Sequence, residues 1–259
     1  FIEGSNLGGL CKYLKSYDNK IKIVVFFHNV ESKFFFDNFK IKKTIHSLGV
    51  LIANYIAEKK SCHYSDQSIA LTINDKNLIY KLYGKKVDYI APLFKEDIKK
   101  NKITEKFKNN KKFILFVGST FYANLKGIEW FVDNVLPNIN YDLAIIGNNF
   151  EKFRNLLNNK KIIFLGKVKK IDIWYKNASF VISPIFLGSG MKSKVVEAMM
   201  YGKKILGTKF SFIGYEKVKS KIGIECNDKD SFIKEIKKME REKKKYFSRI
   251  RKLYEINYS

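Results

Sequence analysis

Residues 184–208 set glycines, lysines and one carboxylate at spacings suited to a phosphorylated ligand. They read Pro-Ile-Phe-Leu-Gly-Ser-Gly-Met-Lys-Ser-Lys-Val-Val-Glu-Ala-Met-Met-Tyr-Gly-Lys-Lys-Ile-Leu-Gly-Thr. Gly188 and Gly190 flank Ser189 and precede Met191, a composition that lets the chain turn tightly and bring bare amides to an anion. Lys192 and Lys194 follow at the start of an expected helix, where positive charge and the helix dipole both favour an anion. Lys194 is taken as the site residue and Lys192 as surface charge. Glu197 falls in the first turns, where a carboxylate can accept two hydroxyl hydrogen bonds from a ribose. Gly202 ends the helix and residues 205–208 re-enter a sheet.

The surrounding pattern supplies elements to hold this loop. Short apolar runs alternate with helical periodicity, as in α/β proteins with parallel sheets. Strands are expected at 21–27, 68–72 and 87–90, with helices near 48–64 and 75–83 and no strand before the glycine-rich stretch 4–9. After a Lys/Asn-rich linker come strands at 113–117, 142–146, 162–165, 180–183 and 204–207. Between them lie helices near 127–136, 153–157, 171–176 and 193–201, and a basic amphipathic helix runs on from Ser231. Several of the strands end in glycine or a small polar residue, so Gly118, Gly147, Gly166 and the loop 188–190 share one ligand edge.

Composition narrows the function classes. Hydrophobic residues make up 46% of the 259 and charged residues 29%, which fits a globular chain and excludes a disordered one. No apolar run reaches the roughly 18–20 residues that span a bilayer, and no signal peptide is visible. Cys11, Cys62 and Cys226 are scattered, which argues against structural zinc or a disulfide framework and fits a reducing cytoplasm. The net charge of +25 is almost all lysine and accompanies abundant Asn and Ile, so part of it reflects codon composition. The remainder favours phosphates, lipid head groups or nucleic acid. No nucleic-acid motif is present and the aromatics fall at apolar positions, which disfavours specific nucleic-acid binding. Asp228-Lys-Asp230 imitates a metal-binding pair, but it precedes a helix that Asp would cap, and no catalytic metal is expected.

The 184–208 segment resembles the nucleotide-sugar signature of retaining GT-B glycosyltransferases of the family 4 type, the glycosyl transferases group 1. Glu197-Ala198-Met199, Gly202 and Thr208 match, while Lys204 stands where Pro is usual and Ser189 where the first Glu of a Glu-x7-Glu pair is common. Phe116-Val-Gly-Ser119 and the Lys126-Gly127 pair resemble the first strand–helix unit of the same domain, with Ser119 in place of a common Arg. Phe27-His28-Asn29-Val30-Glu31 resembles the acceptor-domain strand whose His lines the cleft. The likeness covers roughly residues 20–225 and is dense over 113–208.

The resemblance implies an α/β, GT-B fold: two Rossmann-like domains with parallel sheets facing a cleft, the N-terminal one incomplete. The expected domains are 1–95 for the acceptor, 96–112 as linker, 113–225 for the nucleotide sugar and 226–259 as a basic helical segment. It implies sugar transfer from a nucleoside-diphosphate-sugar donor to a hydroxyl acceptor, with retention and without metal or other cofactor. His28, Lys126, Lys194 and Glu197 would do the chemistry. Gly118, Ser119, Gly147, Gly166, Gly188, Ser189, Gly190 and Met191 would line the donor. The acceptor would be a glycan or lipid-linked sugar of the cell surface. The enzyme would be cytoplasmic, held at an anionic inner membrane face by its basic surface and C-terminal helix. Three alternatives stay open: a non-catalytic scaffold of the same fold, an epimerase of the nucleotide sugar, and a basic nucleic-acid-binding protein.

Overall fold

The computed structural model describes residues 1–93, 112–157, 159–188, 190–242 and 246–259. It divides into two compact units, Phe1–Leu93 with Leu187–Met191, and Phe94–Phe186 with Lys192–Ser259. Of the expected linker 96–112, only Lys112 is among the described residues.

The first unit runs β1 (Ile2–Glu3), α1 (Gly8–Tyr17), β2 (Val24–Phe27), α2 (Glu31–Lys42), α3 (Ile45–Tyr64), β3 (Gln67–Ala70), α4 (Ile73–Tyr83) and β4 (Tyr89–Ile90). The strands form one parallel sheet in the order β1-β2-β3-β4. Val25, Phe27, Ala70, Cys11 and Ile79 are among the side chains that close its core. Thr44 caps α3 reciprocally with Ser47, and Thr72 accepts from the Asp75 amide to start α4. A strand does precede the glycine-rich stretch, contrary to expectation: β1 is two residues, too short for periodicity to show, and only its pairing with Val25 and Phe26 defines it. Helices α1 and α2 were also not marked by the pattern, because α2 buries only Ser32 and therefore has no apolar core stripe to read.

The second unit runs β5 (Phe113–Val117), α5 (Tyr122–Asn134), β6 (Asp142–Ile146), β7 (Ile162–Gly166), α6 (Ile171–Asn177), β8 (Val181–Ser183), α7 (Ser193–Met200), β9 (Ile205–Gly207), α8 (Lys219–Ile222), β10 (Gly223–Glu225), α9 (Lys229–Glu242) and α10 (Ser248–Asn257). Its six strands are all parallel, in the order β10-β9-β8-β5-β6-β7. Such a sheet is buried on both faces, which is why β5 and β6 are continuous apolar runs rather than alternating ones. In place of the helix expected at 153–157 there is a single 3₁₀ turn, Phe150–Phe153.

The C-terminal helices complete this unit. On α9, Phe232, Ile236 and Met239 are buried, with the Phe232 ring 5.8 and 5.7 Å from those of Trp130 and Phe131. Arg251 of α10 donates to the Met200 carbonyl at 2.6 Å, tying α10 to the end of α7. The apolar stripe of α9, expected to serve a bilayer, is thus spent on the core, because a period-3.6 stripe reads alike for either partner. Among the described residues no helix is long and apolar enough to cross a membrane.

Candidate functional site

The chain of the second unit builds β5, β6 and β7 toward one side, then crosses over to lay β8, β9 and β10 on the other. Loops leaving neighbouring strands at such a reversal diverge and open a crevice at their carboxyl ends. Those loops are 118–121 after β5 and 184–192 after β8, the segments that carry the sequence signals.

Two glycines permit the close packing around this edge. A Cβ on Gly147, at the end of β6, would lie 1.7 Å from the Gly118 carbonyl oxygen. One on Gly127 would lie 2.0 Å from the Pro184 oxygen, so α5 can press directly on the end of β8. Any side chain at either place would force backbone apart.

Lys194, the second residue of α7, is only 5% exposed. Its Nζ donates to Asn124 Oδ1 at 2.7 Å and lies 4.5 Å from the Phe116 ring centroid. Asn124 in turn donates from Nδ2 to the Ser119 carbonyl at 2.9 Å. One amide therefore joins the loop after β5, the first turn of α5 and the first turn of α7. Burial, reinforced by the charge of Lys192 and opposed by Glu197, brings the Lys194 ammonium from 10.5 down to about 7. An anion arriving at this edge would supply the counter-charge that the buried amine lacks in full.

Glu197 lies three residues further, on the same side of α7. Its Oε2 accepts from the Tyr175 hydroxyl at 2.9 Å. Tyr175 comes from α6, is fully buried and stacks on Tyr201 with centroids 4.6 Å apart and planes 13° apart. Burial first, and then the Glu197 carboxylate, push the Tyr175 phenol upward, so it stays protonated and remains a donor. The start of α7 is braced separately, by Tyr215 donating to the Lys192 carbonyl at 3.0 Å.

The expected site residues are placed as follows. Gly118, Gly147, Lys194 and Glu197 come to the carboxyl edge of the second sheet. Gly166 ends β7 in the left-handed region at φ +59°, its carbonyl accepting from the Gly147 amide at 3.0 Å. Gly188 and Gly190 are left-handed too, at φ +98° and +73°, and together with Met191 they group with the first unit. Ser189 lies outside the described residues. Ser119 is exposed. Lys126 is exposed on α5 and turned to Glu129, with a 2.8 Å ion pair. His28 is exposed at the end of β2, its ring 4.4 Å from that of Phe26. Asn124 and Tyr175 were not singled out as site residues. An Asn in the first turn after a strand–glycine loop is a signal of sorts, whereas Tyr175 sits 22 residues from Glu197 with no local mark. Asp228 accepts from the Ser231 amide at 2.8 Å as a helix cap, which holds its carboxyl below the usual range. No cluster of three His, Cys, Asp or Glu suited to a metal occurs among the described residues.

Against known proteins, the family described as glycosyl transferases group 1 matches residues 111–241, just over half of the chain. No curated protein matches by sequence. Solved structures match over nearly the whole chain at low identity. Sucrose-phosphate synthase from Thermosynechococcus elongatus superposes with a TM-score of 0.75 at 11% identity, over 99% of this chain and 68% of that one. WaaG, a glycosyltransferase involved in lipopolysaccharide biosynthesis, gives 0.65 at 15%, over 96% and 75%. Anabaena Alr3699/HepE, solved in complex with UDP-glucose, gives 0.67 at 12%, over 96% and 71%.

Proposed function

The chain belongs to the glycosyl transferases group 1 family, and on that premise we propose that it moves a sugar from a nucleoside-diphosphate-sugar to a hydroxyl acceptor, with retention and without a metal. The observation that carries this reading is the Lys194–Asn124–Ser119 bridge across the reversal point of the second sheet, with Glu197 one turn along.

In this reading the diphosphate lies against the amides near Gly118, with Lys194 meeting the charge that develops as the bond from the anomeric carbon to the phosphate oxygen breaks. Glu197, held by Tyr175, takes the ribose hydroxyls. The acceptor oxygen attacks the anomeric carbon from the face the diphosphate leaves, and its proton passes to the departing phosphate oxygen. No protein nucleophile is assigned. Gly147, Gly166, Gly188, Ser189 and Met191 are assigned to the donor, and His28 to the acceptor side. Lys126 would have to release Glu129 to reach a phosphate. The acceptor class is a cell-surface glycan or glycolipid, in keeping with the lipopolysaccharide role of WaaG.

The test is a thermal-shift and calorimetric screen against UDP, GDP, ADP and their sugar conjugates, with Glu197→Ala as control. UDP comes first, because HepE of like fold is solved with UDP-glucose. Stabilisation by one nucleotide that disappears in the variant supports the donor site and identifies the base. Absence of any shift in a folded sample removes it. Binding without sugar release to water or acceptor would leave a binding protein of this fold.

A further inference from the structure

Helix α3 is polar on the side that faces its own unit. It buries Ser47, Glu58, Ser61 and Cys62, while Ile45, Ile52 and Ile56 stand in solvent. Glu58 is the unusual member, a carboxylate with no exposed surface. Among the described residues no ion pair engages it. A buried charge without a counter-ion costs stability that an apolar side chain of similar size would not.

Five neutral donors hold this charge. Oε1 accepts from Ser5 Oγ at 2.8 Å and from the Glu31 amide at 2.9 Å. Oε2 accepts from the Ser32 amide at 3.1 Å, from the Tyr83 hydroxyl at 2.7 Å and from the Ser32 hydroxyl. Burial first, and then Glu58 itself, push the Tyr83 phenol upward, so it stays a donor. The two amides open α2, so the carboxylate caps that helix from α3. Ser61, one turn further along α3, donates to the Ser5 carbonyl at 2.7 Å. A Cβ on Gly8 would lie 1.9 Å from the Ala57 oxygen, so α1 starts in direct contact with the same stretch of α3.

These ties hold the loops that leave β1 and β2 at their carboxyl ends, the edge of a parallel sheet where ligands bind. Ser5 lies in the first loop. In the second, only His28, Asn29 and Val30 separate β2 from the pinned Glu31 amide, and Val30 is itself fully buried. The exposed His28 thus stands on a short segment fixed at one end by strand pairing and at the other by Glu58.

We propose that Glu58 is a positioning residue: its carboxylate locks the loop after β2 so that His28 keeps one place at the carboxyl edge of the first sheet. This rests on the reading that gives His28 to the acceptor side, where a fixed imidazole would meet the incoming hydroxyl. A carboxylate is required because both oxygens must accept. Gln at this position would turn an NH2 group toward one of the two amides of α2.

The test is NMR of the full chain with isotope-labelled histidine, which gives three imidazole signals, that of His28 being assigned with a His28→Gln variant. The His28 ring lies 4.4 Å from that of Phe26, so its signal carries a ring-current shift. His63, edge-on to Tyr64 at 4.7 Å and on the same helix as Glu58, is the internal reference. Glu58→Gln is expected to fold with a lowered melting temperature, to lose most of the His28 shift and to leave that of His63 in place. Should that variant not fold, Tyr83→Phe, which removes one donor and keeps the ring, is expected to move the His28 signal the same way by less. An unmoved His28 signal in the folded variant, or equal movement of His28 and His63, means that Glu58 serves stability alone and overturns the proposal. UDP titration of the wild type tests the sugar-transfer reading separately. Its failure removes that reading, while the histidine signals still decide the role of Glu58.

Discussion

Replacing Lys194 by Met should make the unliganded protein more stable at neutral pH while removing its affinity for diphosphates. Met keeps the length of the side chain and its packing on Phe116 but takes the amine out of a site only 5% exposed. A lysine brought from 10.5 to about 7 costs the folded state on the order of 4–5 kcal/mol at pH 7. Against this, Met leaves Asn124 Oδ1 without its 2.7 Å donor, worth about 1–3 kcal/mol. The balance is a stabilisation of roughly 2 kcal/mol, or about 4–8 °C in melting temperature for a unit of this size. The sign with pH follows from the depressed value. Below pH 7 both folded and unfolded chains hold the proton and the cost is present in full. From pH 7 toward 10.5 only the unfolded chain binds it, so the wild type gains stability as pH rises and Met does not. The two curves of melting temperature against pH therefore cross in that window. Calorimetric scans across it, with UDP titrations of both proteins, provide the assay. A Met variant less stable at pH 7, with a gap that does not change with pH, would refute the burial argument. One that binds UDP like the wild type would remove Lys194 from the site.

Further outcomes follow from neighbouring residues. Asn124→Ala takes away the acceptor of the Lys194 ammonium, so the titration of that amine, read by NMR of labelled lysine, moves below about 7 and nucleotide binding weakens at a lower pH than in the wild type. Glu197→Gln should cost about 1.5–3 kcal/mol of nucleotide affinity, and a dideoxyribose nucleotide should bind both proteins alike. Equal losses for both nucleotides would place the ribose elsewhere. Tyr175→Phe removes the 2.9 Å bond to Glu197 and should weaken UDP binding by about 1 kcal/mol, measured by titration. Gly147→Ala drives a methyl to 1.7 Å from the Gly118 carbonyl and should destabilise by at least about 1–3 kcal/mol, read as a lowered denaturant midpoint.

Apart from β10, whose three residues form no apolar run, the second sheet was legible from the chain alone, because buried parallel strands are unbroken apolar runs and glycine marks the ends of β5, β6 and β7. The same holds for Lys194 and Glu197, whose spacing on one helix follows from the 3.6-residue period. Tertiary structure decided what periodicity cannot carry. It brought Asn124 to Lys194 across 70 positions and Tyr175 to Glu197 across 22, pairings that depend on strand order rather than on local pattern. It made a strand of two residues through its partner. Above all it settled which amphipathic helix turns its apolar side inward: α9 buries its stripe against Trp130 and Phe131, while α3 leaves its own outside. An apolar stripe states that a surface must be covered, and only the packed chain determines whether the cover is its own core.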